Sequence, residues 1–165
     1  MKQQKSSTRA LGLGAWFLFS VLLNAQPAIA QQLLYVVNQE ESTVTVIDTK
    51  TEATIATLPV AEGPATIAAT PSGRRLYITH PEAGKLTVLD GASLNPPKVI
   101  DVAGTPFGVG VASDGRVLVS DWNRDVVTVL DGATLSKIAE IKVGRAPAQL
   151  AISPFGGRAF VANRE

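Results

Sequence analysis

The chain has 165 residues, fifteen of them basic and fourteen acidic, with a single histidine and no cysteine. Without cysteine there is no disulfide, no C-x-x-C-H haem attachment and no cysteine-ligated metal. The charge is nearly balanced and no basic run stands out, which argues against a nucleic-acid partner and against a polybasic contact with anionic lipid.

The first thirty residues read as a secretory signal peptide. Lys2, Lys5 and Arg9 make a basic start, residues 10–23 form an apolar run, and Ala28-Ile29-Ala30 supplies the small-x-small cleavage pattern. An uncleaved anchor is the alternative, but a run of fourteen residues, broken by small residues and Ser20, falls short of the roughly twenty needed to span a bilayer. Removal after Ala30 takes away three basic residues and no acidic one, leaving twelve against fourteen. No later segment is long and apolar enough to cross a membrane as a helix, so no stable insertion is expected after cleavage. The expected location is therefore periplasmic or extracellular.

From residue 31 onward the chain repeats itself. Residues 35–48 read Y-V-V-N-Q-E-E-S-T-V-T-V-I-D, residues 77–90 read Y-I-T-H-P-E-A-G-K-L-T-V-L-D, and residues 118–131 read L-V-S-D-W-N-R-D-V-V-T-V-L-D. The closing aspartates, Asp48, Asp90 and Asp131, are 42 and then 41 residues apart, and Phe160 opens a fourth copy. Each aspartate begins a turn, where its carboxylate can accept backbone N–H groups two residues on. An apolar run follows, then a Gly/Pro corner at Pro64, Pro106 or Pro147, a run of small residues, and a second turn carrying Gly73, Gly115 or Gly156.

Each period thus holds four short runs rich in Val, Ile, Thr and Leu, several of them alternating, and none shows a long helical period. The expectation is an all-β chain, a β-propeller-type repeat of four-stranded antiparallel blades. A β-sandwich also has many short strands, but it does not require the same turn residue at the same phase of every period. The repeats run approximately over 35–76, 77–117 and 118–159, with the start of a fourth at 160–165.

Tyr35-Val36-Val37-Asn38 with Thr43-Val44-Thr45-Val46-Ile47-Asp48 closely resembles the YVTN-type β-propeller repeat family, and Tyr77-Ile78-Thr79-His80 with residues 86–90 is similar. The third copy keeps Val127-Thr128-Val129-Leu130-Asp131, while Leu118-Val119-Ser120-Asp121 departs from the motif. The resemblance implies a ring of about seven blades. It also implies relatives associated with quinone- or haem-dependent oxidation, although the repeat itself is a scaffold with many uses. Three periods and a piece fall short of such a ring. An incomplete open arc rather than a closed ring is expected, starting with strands two to four of one blade and ending with strands one and two of another. A truncated fragment of a longer propeller is the leading explanation, with self-assembly of several chains through open blade edges and a solitary arc as alternatives.

In a four-stranded blade, the turn after strand two and the link into the next inner strand share one face. Loops held on a rigid scaffold are the usual place for recognition. That face gathers the candidate binding residues Asn38, His80, Glu82, Asp121, Trp122, Asn123, Arg124 and Arg145. His80 stands at the phase of Asn38, Asp121 and Asn163, which favours a strand-ending polar residue over a metal ligand or general base. Asp121, Asn123 and Asp125 open like a calcium loop, but Val126 and Gly132 stand where its glycine and bidentate glutamate belong, so Asx turns explain them better. Trp122 lies in a polar turn, where an aromatic can anchor a partner or pack on the next blade. No catalytic constellation, cofactor motif or metal set is legible.

These readings converge on an exported binding or scaffolding module for a protein or small-molecule ligand. An accessory or catalytic component of a quinone- or haem-linked oxidoreductase is the alternative implied by the resemblance. If the leader reading holds, N-terminal sequencing of the exported protein starts at Gln31; a protein that keeps residues 1–30 in the envelope contradicts it.

Overall fold

The computed structural model describes residues 32–155 and 157–165. The segment read as a leader, residues 1–30, and the turn residue Gly156 lie outside the described residues. The described chain is built of strands in four antiparallel sheets, with no helix among the described residues. The first sheet holds β1 (Leu33–Asn38), β2 (Thr43–Asp48) and β3 (Ala53–Pro59). The second holds β4 (Ile67–Ala69), β5 (Arg75–His80), β6 (Lys85–Asp90) and β7 (Lys98–Asp101). The third holds β8 (Pro106–Val111), β9 (Val117–Asp121), β10 (Val126–Leu130) and β11 (Lys137–Lys142), and the fourth pairs β12 (Pro147–Ile152) with β13 (Ala159–Asn163). Strand order within every sheet follows the chain, so each sheet is a meander of hairpins. The hydrogen-bonded unit begins after the Gly/Pro corner, so a repeat counted from the tyrosine position straddles two sheets.

The turns recur because the same chemistry recurs. Oδ1 of Asp48 accepts the N–H groups of Lys50 (2.8 Å) and Thr51 (3.2 Å), Asp90 those of Ala92 (2.8 Å) and Ser93 (3.2 Å), and Asp131 those of Ala133 (2.9 Å) and Thr134 (2.8 Å). Four residues after each aspartate the chain passes through the left-handed region, at Glu52, Leu94 and Leu135 (φ 57°, 51° and 65°). That conformation costs a non-glycine residue about 1 kcal/mol or more, and all three periods accept it to launch the outer strand.

The core lies between sheets rather than inside them. Alternation along β5 sends Leu76 and Ile78 toward the first sheet, where they pack with Val44 and Leu89 against Tyr35 and Leu58. Tyr77, on the opposite side of β5, joins Leu86, Val109, Val111, Val117, Val119 and Leu130 between the second and third sheets. Leu76 is 4% exposed and Ile78 0%, whereas Leu34 and Val36, one period earlier, are 49% and 38% exposed. Side chains of this size gain about 1.5–3 kcal/mol each on full burial. The difference arises because a sheet precedes the second one, whereas none precedes the first among the described residues. At the far end Ile141 and Phe160 are exposed for the corresponding reason.

Polar clasps fix the register between neighbouring sheets. Tyr35 Oη donates to the Gly91 carbonyl (2.8 Å) and Tyr77 Oη to the Gly132 carbonyl (3.1 Å). Nearer the inner strands, Thr79 Oγ1 donates to the Phe107 carbonyl (2.5 Å) and Ser120 Oγ to the Ala148 carbonyl (2.6 Å). Gly132 is held to glycine by its neighbour, since a Cβ there would lie 2.0 Å from the Gly115 carbonyl oxygen.

Gly132→Ala forces backbone against backbone and is expected to cost about 1–3 kcal/mol. Thr49→Ala, at the equivalent turn of the first sheet, loses only one exposed hydroxyl contact to Gln32 and is expected to cost less than about 1 kcal/mol. Thermal unfolding of the two variants checks the order; equal midpoints would remove the close-approach explanation.

Candidate functional site

The turns after strand two and the links into the next inner strand do share a face, and hydrogen bonds join them there. In the third sheet the joint is Asp121. Its Oδ1 accepts N–H groups from Thr105 (3.1 Å) on the incoming link and from Asn123 and Arg124 (both 3.2 Å) on its own turn. Trp122 N–H donates to the Thr105 carbonyl (3.0 Å) and Asn123 Nδ2 to Thr105 Oγ1 (2.8 Å), so the two loops are tied at several points. Asp121 is only 2% exposed. Its Oδ2 makes no hydrogen bond and faces Arg124 Nη1 at 3.6 Å. Gly104, at φ 84°, lets the link cross this carboxylate, since a Cβ there would sit 1.7 Å from Oδ2.

This frame holds Trp122 partly buried. Its ring lies 5.0 Å from that of Phe107 at a tilt of 56°, a favourable aromatic geometry, and the Arg164 guanidinium stands 5.4 Å above its centre. Arg124 pairs with Glu140 at 2.8 Å, which holds the Glu140 carboxyl below its usual range and raises Arg124. Arg145, on the next link, is exposed and pairs with Glu165 at 2.6 Å. Asp125 Oδ1 accepts the Ala146 N–H (3.0 Å), joining the turn of the third sheet to the link that enters the fourth.

The residues singled out in the sequence therefore fall into two groups. Asp121, Trp122, Asn123 and Arg124 form one turn, with Arg145 on the adjoining link. Asn38, His80 and Glu82 occupy the corresponding turns of the first two sheets. Asn38 Nδ2 donates to Thr43 Oγ1 (3.0 Å) and Thr45 Oγ1 (2.8 Å) within its own hairpin, and Glu82 is exposed. His80 is fully buried. Its Nδ1 lies 3.1 Å from the Glu62 carbonyl, which can only accept, so Nδ1 carries the proton and Nε2 accepts from Thr87 Oγ1 at 2.7 Å. Asp121 accepts the N–H groups of Asn123 and Arg124, as the Asx-turn reading of this calcium-like opening expects, and Asp125 accepts that of Ala146. Among the described residues no three His, Cys, Asp or Glu side chains converge as a metal set.

Sequence reasoning placed Phe107 on this face, in the corner Thr105-Pro106-Phe107, without making it a candidate binding residue, and passed over Arg164. Phe107 did carry a signal: it follows the corner proline, where the other periods have Ala65 and Ala148. Arg164 carried none, because only the folding of the fourth sheet brings it over Trp122. A cavity of about 400 Å³ opens between the first two sheets, lined by Tyr35 and Leu76 of β1 and β5 and by the turn residues Gly73, Arg74 and Gly91.

No protein-family model matches the chain, and no curated protein does. Solved structures do. Hydrazine synthase of Kuenenia stuttgartiensis superposes with a TM-score of 0.68 at 26% identity, over 74% of this chain and 36% of that one. Dihydro-heme d1 dehydrogenase NirN in complex with DHE gives 0.66 at 24%, over 85% and 32%. Virginiamycin B lyase from Staphylococcus aureus gives 0.68 at 11%, over 79% and 45%. The architecture is an open β-propeller arc. The chain spans about a third of the length of the first two structures, and its sheets are blades 1 to 4 of that arc.

Burial pushes the His80 pKa below its ordinary value, outweighing the bonds from the Glu62 and Ala61 backbone, which raise it; Lys85 lowers it further. A depressed folded pKa means the contribution to stability is present above the unfolded value of about 6.5 and is lost as pH falls toward the folded one. With one histidine in the chain, that window is clean. The melting temperature is expected to drop between pH 7.5 and 5.5 and to stay nearly flat in His80→Asn, which carries the residue found at positions 38 and 163; parallel pH profiles would contradict it.

Proposed function

We propose that this chain is an exported propeller segment of the YVTN-repeat type, acting in the periplasm or outside the cell as a binding or scaffolding module. The observation that carries this reading is the Trp122 turn. A large aromatic is held only partly buried on a loop frame tied by Asp121 and Thr105, outside the buried core clusters. Rigid tryptophans with cationic neighbours are favoured anchors of interfaces, because they offer contact area at little entropic cost. The motif Tyr35-Val36-Val37-Asn38 and its copies support the repeat type, and the leader pattern supports export.

The test is affinity capture of the partner from an envelope extract on immobilised protein. Trp122→Ala is expected to weaken capture tenfold or more, an effect of about 2 kcal/mol, while unfolding at nearly the wild-type temperature. Undiminished capture by the folded variant would end the assignment to this turn.

A second reading, a component of a quinone- or haem-linked oxidoreductase system, is favoured by the similarity to hydrazine synthase and to the dehydrogenase NirN. Because Trp122 is the sole tryptophan after residue 30, its emission reports on this face directly. Saturable quenching on titration with haem supports the second reading; an unchanged spectrum counts against it.

A further inference from the structure

Blade 2 breaks the repeat at one place. All three outer turns pass through the left-handed region four residues after their aspartate, at Glu52, Leu94 and Leu135. In blade 1 the outer strand begins at the next residue, Ala53, and in blade 3 one residue intervenes, Ser136. In blade 2 three intervene, Asn95-Pro96-Pro97, before β7 begins at Lys98. Proline has no N–H to give to a ladder, so this stretch cannot continue the sheet. β7 accordingly has four residues where β3 has seven and β11 six. Its pairing with β6 stops at Val88 with Lys98, whereas blade 1 pairs as far as Asp48 with Ala53 and blade 3 as far as Leu130 with Lys137. Leu89 and Asp90 are left without a partner on that side.

The peeled-back strand opens a cavity of about 280 Å³ between blades 2 and 3. Both of these blades have all four strands. The apolar lining comes from Val88 and Leu89 of β6, Pro96 of the extended turn and Leu135 of the outer turn of blade 3. Three charges share the cavity, Arg75, Lys98 and Asp90. Asp90 is engaged by its own turn, its Oδ1 accepting the N–H groups of Ala92 (2.8 Å) and Ser93 (3.2 Å). Arg75 and Lys98 are exposed, and neither forms an ion pair among the described residues. Arg75 is nevertheless held in place, because its Nη1 crosses to blade 3 and donates to the Gly132 carbonyl at 2.6 Å. The rest of its planar fork is left to donate, and such a fork matches a carboxylate.

We propose that this cavity is a binding site for a small apolar monocarboxylate. The carboxylate lies against Arg75 and Lys98, and the hydrocarbon part lies on Val88, Leu89, Pro96 and Leu135. A cavity of this size suits a small ligand rather than a drug-sized one. Extra residues in one repeat of an array commonly build its binding face. Here the extra residues are prolines, which fix the wall before the ligand arrives and so lower the ordering cost of binding. The site lies at the opposite ends of the strands from the Trp122 turn and does not rest on the reading of that turn.

The probe is hexanoate, titrated into the whole protein while the amide resonances of Leu89, Asp90 and Leu135 are followed by NMR. Saturable shifts are expected, with a dissociation constant of about a millimolar. Hexanamide keeps the size and loses the charge, and is expected to bind at least about tenfold more weakly. Arg75→Gln is expected to weaken hexanoate at least about tenfold. Because that variant also alters the bond to Gly132, Lys98→Gln is measured beside it, with an expected weakening of at least about threefold. No saturable shift with hexanoate, equal shifts with hexanamide, or unchanged affinity in either variant overturns the proposal.

Discussion

A four-stranded antiparallel blade has two faces and no interior of its own, so it gains buried apolar area only from the blades on either side. Everything else in this molecule depends on that lending of surface. Tyr77, Leu86, Val109 and Val119 form a core only because two sheets face each other. The clasps from Tyr35 and Tyr77 to the Gly91 and Gly132 carbonyls set how the sheets face. They tie a strand of one blade to the outer turn of the next, while the Thr79 and Ser120 hydroxyls make the matching tie at the inner strands. Blades 2 and 3 carry both ties and are held at two depths, which resists sliding as well as separation. The exposed Leu34, Val36, Ile141 and Phe160 mark where the lending stops.

The same economy governs the turn face. A loop between two strands has no core to hold it, and here a buried carboxylate does the holding. Asp121 gathers N–H groups from two chain segments that meet only because one blade hands the chain to the next. Gly104 makes room for it by having no side chain. On this frame Trp122 cannot collapse inward and stays displayed between Phe107 and Arg164. Burial of the Asp121 carboxylate stabilises this arrangement. In blade 2 the position of Asp121 is held by His80, likewise buried and satisfied at both nitrogens, and Pro81 stands where blade 3 has Trp122.

Much of the fold was legible in the residues because it is written at short range and repeated. The Asp48, Asp90 and Asp131 turns depend on a side chain reaching two or three residues along its own backbone. The alternation in Thr43–Asp48 and Val126–Leu130 is enough to make a strand with two different sides. Copies of one unit at a fixed phase leave few architectures open, and a meander of stacked sheets satisfies all of them. The candidate site was less legible. Asp121, Trp122, Asn123 and Arg124 stood out as a polar turn, yet nothing in the order of residues said that Asp121 would be buried beneath Gly104. Nor did it say that Arg164 would arrive from 42 residues further on.

Amino-acid order by itself determined the strands, their turns, the period and the face on which the second turn of each blade would lie. These follow from local hydrogen bonding and from the two-residue alternation of a β-strand, which need no knowledge of the neighbours. Tertiary structure alone decided which equivalent positions are buried, which glycines are obligatory and which aromatic is displayed. Leu34 and Leu76 have the same side chain and the same phase, and differ only in whether another blade lies against them. Burial belongs to the pair of surfaces, and no single stretch of chain contains both.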